Sequence, residues 1–158
     1  MADTHTKKSQ MLPVGLESLV DMLTPYMLQT AQEALWLAQR AQALSPARIL
    51  EIGTWRGGTA ALLAAFGRVV TVDREIQPVL AWELPEYRAL CPNAVVEAVG
   101  GDAGTLEVFG QVLGEYDLVF IDGDHDLRSA LRDWGLYGQM GRVVALHGIA
   151  GYNYLSRL

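Results

Sequence analysis

The apolar positions of the chain change rhythm near residue 47. Before it, Leu16, Leu19, Val20 and Leu23 follow the i, i+3, i+4, i+7 spacing of one helical face. Thr24-Pro25 reads as an N-cap followed by proline at the first helical position, which predicts that a second helix begins there. Ala34, Leu37, Ala41 and Leu44 carry its stripe, and Ser45-Pro46 ends it. From Ala47 onward, short apolar runs alternate with helical segments. ARILEIG predicts a buried strand, and GGTAALLAAFG a helix closed by Gly67. RVVTVD is a second strand. Pro78 opens a helix that Pro85 ends or kinks. AVVEAV is a third strand, TLEVFGQVLG a helix with Gly110 inside it, and YDLVFID a fourth strand. DLRSALRDWGLYG predicts an amphipathic helix with Leu127, Ala130, Leu131 and Trp134 on one face and Arg128, Arg132 and Asp133 toward solvent. RVVALH is a fifth strand.

Apolar strands joined by helices imply a parallel sheet covered on both faces. The expected organisation is a disordered tail over 1–12, a helical arm over 13–46 and an α/β domain over 47–158. A length of 158 residues suits one such domain, and 51% hydrophobic against 19% charged residues excludes an extended disordered chain. The net charge of −6 argues against general binding to nucleic acid or to an anionic membrane. The single cysteine, Cys91, excludes an internal disulfide framework and builds no zinc cage by itself. No apolar run approaches the roughly 18 residues of a membrane span. The start, MADTHTKKSQMLPVGL, has no apolar stretch behind its basic pair, so a cytoplasmic setting without a signal peptide is expected.

In open parallel sheets, ligands bind beyond the carboxyl ends of the strands. Strand one ends in Glu51-Ile52-Gly53-Thr54-Trp55-Arg56-Gly57-Gly58, a turn that allows close backbone approach and leads into a helix N-terminus. It matches neither G-x-G-x-x-G nor a P-loop. Strand two ends in Asp73, twenty positions after Gly53, where a carboxylate accepts from ribose hydroxyls or simply caps a helix. Strand three ends in Gly101-Asp102-Ala103, suited to an exocyclic amine or to an ordinary turn. Strand four ends in Asp122-Gly123-Asp124-His125-Asp126, and either Asp124 or Asp126 is a helix cap. Acids at four successive strand ends point to a ribose-containing cationic ligand.

These segments resemble the class I S-adenosylmethionine-dependent methyltransferases. More narrowly they resemble the small-molecule O-methyltransferase group that includes the cephalosporin hydroxylase-type and macrolide sugar enzymes. LEIGTWRGGTA, VVTVDRE, GDAG, VFIDGDHDLRSALRDWGLYG and RVVALHGI carry the resemblance, over about 47–149. It implies a Rossmann-like sheet of about five strands in the order 3-2-1-4-5. It also implies S-adenosylmethionine as cofactor, with Glu51, Gly53 and Gly57 around the methionine part. Asp73 would hold the ribose, Asp102 the adenine amine, and Asp122 would face the methyl and the acceptor; Thr54, Arg74 and Ala103 complete the cofactor-binding set. The catalytic candidates are Asp122, His125 and His147. Metal-dependent relatives imply Mg²⁺, for which Asp122 and Asp124 are the candidate ligands. Relatives often read His-Asp after strand five, whereas this chain has His147-Gly148. Only eleven residues follow His147, too few for the usual C-terminal helix and antiparallel strand pair. That predicts an exposed fifth strand with self-association through it or through the arm, or else a chain that is only part of a longer product.

The expected activity is O-methylation of a small sugar-like or natural-product acceptor. Two alternatives stay open: a non-catalytic S-adenosylmethionine-binding regulatory or assembly protein, and a nicotinamide-dependent oxidoreductase. Trp55 standing at the second fingerprint-glycine position disfavours the last.

Overall fold

A computed structural model describes residues 14–148, so the expected tail over 1–12 and the stretch 149–158 lie outside the described residues. The chain begins with α1 (Leu16–Leu23), a 3₁₀ turn (Thr24–Tyr26) and α2 (Ala31–Leu44). Then follow β1 (Ala47–Ile52), α3 (Gly58–Ala64), β2 (Gly67–Asp73), α4 (Pro85–Leu90) and β3 (Val95–Gly100). The last elements are α5 (Leu106–Val112), β4 (Tyr116–Ile121), α6 (Leu127–Tyr137) and β5 (Gly141–Leu146).

The five strands form one sheet, ordered β3-β2-β1-β4-β5, and every pairing is parallel. The expected Rossmann-like order is therefore borne out. Alternation along the strands feeds two cores. Ile49, Val69, Leu118 and Phe120 pack with the buried side chains of α1, α2 and α3 and with Tyr87 of α4. Leu50, Val70, Val119 and Ile121 face the other way, against Val108 and Val112 of α5 and Tyr137 of α6. Withdrawing each such aliphatic side chain from water contributes about 1.5–3 kcal/mol. The arm belongs to the first core, since Leu19, Leu23, Ala34, Leu37 and Ala38 are buried in it.

Four local expectations need correction. Thr24-Pro25 opens only the 3₁₀ turn. The second helix starts at Ala31, where Thr30 accepts from the Glu33 amide and Glu33 reaches back to the Thr30 amide. That reciprocal cap satisfies two otherwise orphaned donors, which a lone Thr-Pro does not. Gly67 does not close α3. It is the first residue of β2, pressed so closely against the Ala47 backbone that a side chain has no room. Pro78 opens no α-helix; a 3₁₀ turn at Ala81–Glu83 precedes α4, which Pro85 begins rather than breaks.

The fourth correction concerns α6. Leu131 and Trp134 are 42% and 45% exposed, while Asp133 and Tyr137 are buried. The inward face is polar because its partners are there. Asp133 accepts from Arg132, and the Tyr137 hydroxyl donates to the Ala103 carbonyl at 2.5 Å. Such partnered groups are stable inside.

Candidate active site

The register of the sheet assembles the site. Ile52 pairs with Val72 on one side and Ile121 on the other, and Ile121 pairs with Leu146. The next residues, Gly53, Asp73, Asp122 and His147, therefore stand in one row along the carboxyl edge. Backbone bonds continue the ladder into that row: Gly53 N–H to Val72 O at 2.8 Å, Asp122 N–H to Ile52 O at 2.7 Å, and His147 N–H to Ile121 O at 3.0 Å. Gly53 has φ +100°, and a Cβ there would overlap the Asp122 carbonyl, so the β1 and β4 ends meet only because residue 53 is glycine.

Asp73 organises the turn after β1. Its Oδ2 accepts from the Thr54 and Trp55 amides, both at 2.8 Å, and its Oδ1 from the Glu75 amide at 3.2 Å. Trp55 takes φ +46° within this turn, with the Arg56 guanidinium 5.6 Å from its ring centroid.

A cavity of about 290 Å³ opens over the row. Gly53, Thr54, Asp73, Arg74, Asp102, Ala103, Asp122, Asp124 and His125 line it, joined by Trp55 and by Met27–Gln29 of the arm. Glu51, Gly57 and His147 do not. Gly57, at φ +79°, lets Trp82 pack against the turn. His147 lines a neighbouring groove of about 430 Å³ with Glu33, Trp36, Leu37, Phe120, Ala145 and Leu146. Gln29 borders both spaces, so the Asp122–His147 pair stands between them.

Glu51 is fully buried beneath the cavity floor. Its Oε2 accepts from the Thr71 hydroxyl at 2.5 Å, and Thr71 in turn contacts the Thr54 hydroxyl at 2.6 Å. Its Oε1 has no partner, the one such buried side-chain atom among the described residues. Burial raises its pKa well above the usual carboxylate value.

The acids around the cavity are partly neutralised by the chain itself. Arg74 pairs with Asp124 at 2.6 Å and approaches Asp102 at 4.0 Å. Arg132 holds Asp133 at 2.9 Å and approaches Asp102 at 3.9 Å. The Gly104 amide, with both arginines assisting, lowers the pKa of Asp102. Burial raises that of Asp133, against the opposing pull of Arg132. Asp126, not Asp124, caps α6, accepting from the Arg128 and Ser129 amides at 3.0 and 3.1 Å.

Asp122 is engaged through both of its carboxylate oxygens. Its Oδ1 lies 2.8 Å from His147 Nδ1 and 3.4 Å from His125 Nε2. Its Oδ2 accepts from the Gln29 amide, whose own oxygen accepts from the Thr59 hydroxyl at 2.6 Å. Burial raises its pKa, and the two imidazoles and Gln29 offset part of that rise. The structure thus brings Asp122, His125 and His147 together and holds Asp124 apart against Arg74. Gln29, Glu33, Thr59, Thr71, Arg132 and Asp133 were not among the site residues expected from sequence. Only the Thr30-x-x-Glu33 cap left a local signal.

With an acid-lined crevice at the point where strand order reverses, the architecture is that of a nucleoside-binding α/β domain. Residues 50–146 match the model of the methyltransferase domain family, and the chain belongs to that family. It is 30% identical over 130 residues to a catechol O-methyltransferase of Mycobacterium tuberculosis (strain ATCC 25618 / H37Rv), covering 79% of this chain and 58% of that protein. The crystal structure of cofactor-bound Rv0187 from MTB superposes with a TM-score of 0.57 at 30% identity, over 82% of this chain and 62% of that one. The O-methyltransferase TomG from Streptomyces achromogenes, in complex with S-adenosylmethionine, shares the fold at a TM-score of 0.55 and 24% identity, over 86% and 67%. The resemblance read from the strand-end segments is thereby borne out. The chain spans about three fifths of the length of the first two relatives. Among the described residues, no helix is long and apolar enough to cross a membrane.

Proposed function

We propose that this chain binds S-adenosylmethionine in the 290 Å³ cavity and serves an O-methyltransferase acting on a small hydroxylated acceptor. The observation that carries the proposal is the row Gly53, Asp73, Asp122 and His147, with the acid-lined cavity on one side of Asp122–His147 and a largely apolar groove on the other. The donors fit the cofactor. Asp73 and Asp102 present carboxylates to ribose and adenine. Glu51, buried beneath the turn that would carry the methionine end, supports that turn through Thr71 and Thr54. An acidic surround favours a sulfonium cation.

When bound, the cofactor supplies an electrophilic methyl group. The chain's own contribution is positional and protonic. Holding acceptor oxygen and methyl in line removes most of the entropic barrier. The cluster of Asp122, His125 and His147 takes the proton that a hydroxyl acceptor loses. The groove beside His147, walled by Trp36, Leu37 and Phe120, is where the acceptor's apolar part would lie; a sugar-like or natural-product skeleton suits it. The donors do not fit Mg²⁺, which demands a near-octahedral oxygen shell. Asp122 is flanked by two imidazoles, and Asp124 is tied to Arg74.

Self-association belongs to the same proposal. Among the described residues β5 is paired only with β4, and Val143 on it is 37% exposed. Light scattering tests this: a dimer or larger species is expected, and a monodisperse monomer contradicts it. For the activity itself, methyl-labelled cofactor is incubated with a panel of hydroxylated acceptors. Transfer that is lost in Asp122→Asn, with S-adenosylhomocysteine binding retained, is the expected result. Cofactor binding with no turnover on any acceptor favours the regulatory alternative.

A further inference from the structure

Asp122, His125 and His147 bring one ligand-type atom each to within 4.8 Å of one another. Donors bound to one ion at about 2.0–2.1 Å stand about 2.9 Å apart in octahedral and about 3.4 Å apart in tetrahedral geometry. The spacings from Asp122 Oδ1, 2.8 Å to His147 Nδ1 and 3.4 Å to His125 Nε2, already approximate two coordination edges. The surrounding contacts are those that orient metal ligands. His147 turns its other nitrogen, Nε2, toward Glu33 Oε2 at 3.6 Å. The second oxygen of Asp122 is held by Gln29, and Gln29 by Thr59. Carboxylates behind histidine ligands and amides behind carboxylate ligands fix both geometry and basicity.

Gly148 supplies an independent observation. It has φ +75°, and a Cβ there would lie 2.8 Å from His125 Nδ1. Glycine at 148 leaves room for the ring where it stands beside Asp122. The position that lacks the carboxylate expected from the resemblance is the position that makes room for an imidazole.

We propose that Asp122, His125 and His147 bind a divalent transition-metal ion of the zinc, cobalt and nickel class, and that the site discriminates against Mg²⁺. Two imidazoles and one carboxylate are borderline donors that such ions favour. Mg²⁺ prefers oxygen and keeps its waters. The ion replaces the proton between His147 and Asp122 and keeps open positions toward the cavity, where His125 is half exposed. Bound there, the ion would replace proton uptake by the metal-free cluster: it would lower the pKa of an acceptor hydroxyl, whose proton would leave to water; only this last consequence rests on the methyl-transfer reading.

The test titrates the full chain, stripped of metal by chelation and dialysis, with Co²⁺ followed by visible absorption. Zn²⁺ and Mg²⁺ are then added as competitors, and S-adenosylhomocysteine binding is measured by calorimetry on the same sample. One Co²⁺ per chain is expected, with the ligand-field bands of mixed nitrogen–oxygen coordination. Equimolar Zn²⁺ displaces it and a roughly thousand-fold excess of Mg²⁺ does not. His125→Ala, at a half-exposed position the fold tolerates, weakens Co²⁺ binding at least about ten-fold, and Glu33→Gln about ten-fold. Absence of the bands, effective competition by Mg²⁺, or unchanged affinity in His125→Ala overturns the proposal. Metal binding lost with S-adenosylhomocysteine binding intact refutes this site alone. The reverse pattern refutes the proposed function alone.

Discussion

Gln29 and Asp122 lie 93 positions apart in sequence, yet the amide of one donates to the carboxylate of the other at the mouth of the cavity. Gln29 is 5% exposed and is anchored by Thr59 at 2.6 Å, so the arm is a fixed wall of the site. Replacing the amide by an isosteric hydrocarbon leaves one oxygen of a mostly buried carboxylate without a donor. Gln29→Leu is expected to cost about 1–3 kcal/mol in urea unfolding. It should also slow methyl transfer in kcat while S-adenosylhomocysteine affinity stays nearly unchanged. Unaltered stability and rate would place Gln29 outside the machinery.

Glu51 makes stability depend on pH in a direction opposite to a surface carboxylate. Burial raises its folded-state pKa well above 4.5, so it keeps its proton when the unfolded chain has lost it. Its contribution is fully present below the unfolded value and is lost as pH rises toward the folded one. Glu51→Gln cannot titrate. Its melting temperature relative to the parent should therefore climb as pH is raised from about 4.5 toward neutrality. Parallel melting curves across that range would mean that Glu51 is ionised in the folded protein.

The inward face of α6 can be separated from its outward face by paired substitutions. Trp134→Lys, on the exposed side, should change stability by no more than about 0.5 kcal/mol. Asp133→Ala, which removes the partner of Arg132 and a buried hydrogen bond, should cost about 1–3 kcal/mol. Equilibrium unfolding in urea reads both, and the reverse ranking would restore the hydrophobic stripe as the buried face.

The contrast in α6 shows what a sequence holds. Strand positions were legible because six-residue apolar runs such as ARILEI and YDLVFI have few alternatives to burial on both faces. The row of strand-end residues was legible for the same reason, since each acid directly follows such a run or closes it. Asp133 and Tyr137 were not, because their burial depends on Arg132 and on the Ala103 carbonyl, and periodicity carries no record of partners. Gln29 was hidden for the same cause at longer range. Thr24-Pro25 misled because it has the residues of a cap without the reciprocal glutamate that Thr30 finds in Glu33. His125 and His147 could be named as candidates, but their meeting on one oxygen of Asp122 depends on sheet register and on Gly148.

Calorimetric titration with S-adenosylhomocysteine, with NAD as the control, tests most directly the claim that strand-end carboxylates frame a nucleoside site. The account predicts saturable one-to-one binding of S-adenosylhomocysteine, weakened at least about ten-fold in Asp102→Ala, and no heat with NAD. Heat with NAD alone, or no heat with either compound, would contradict it.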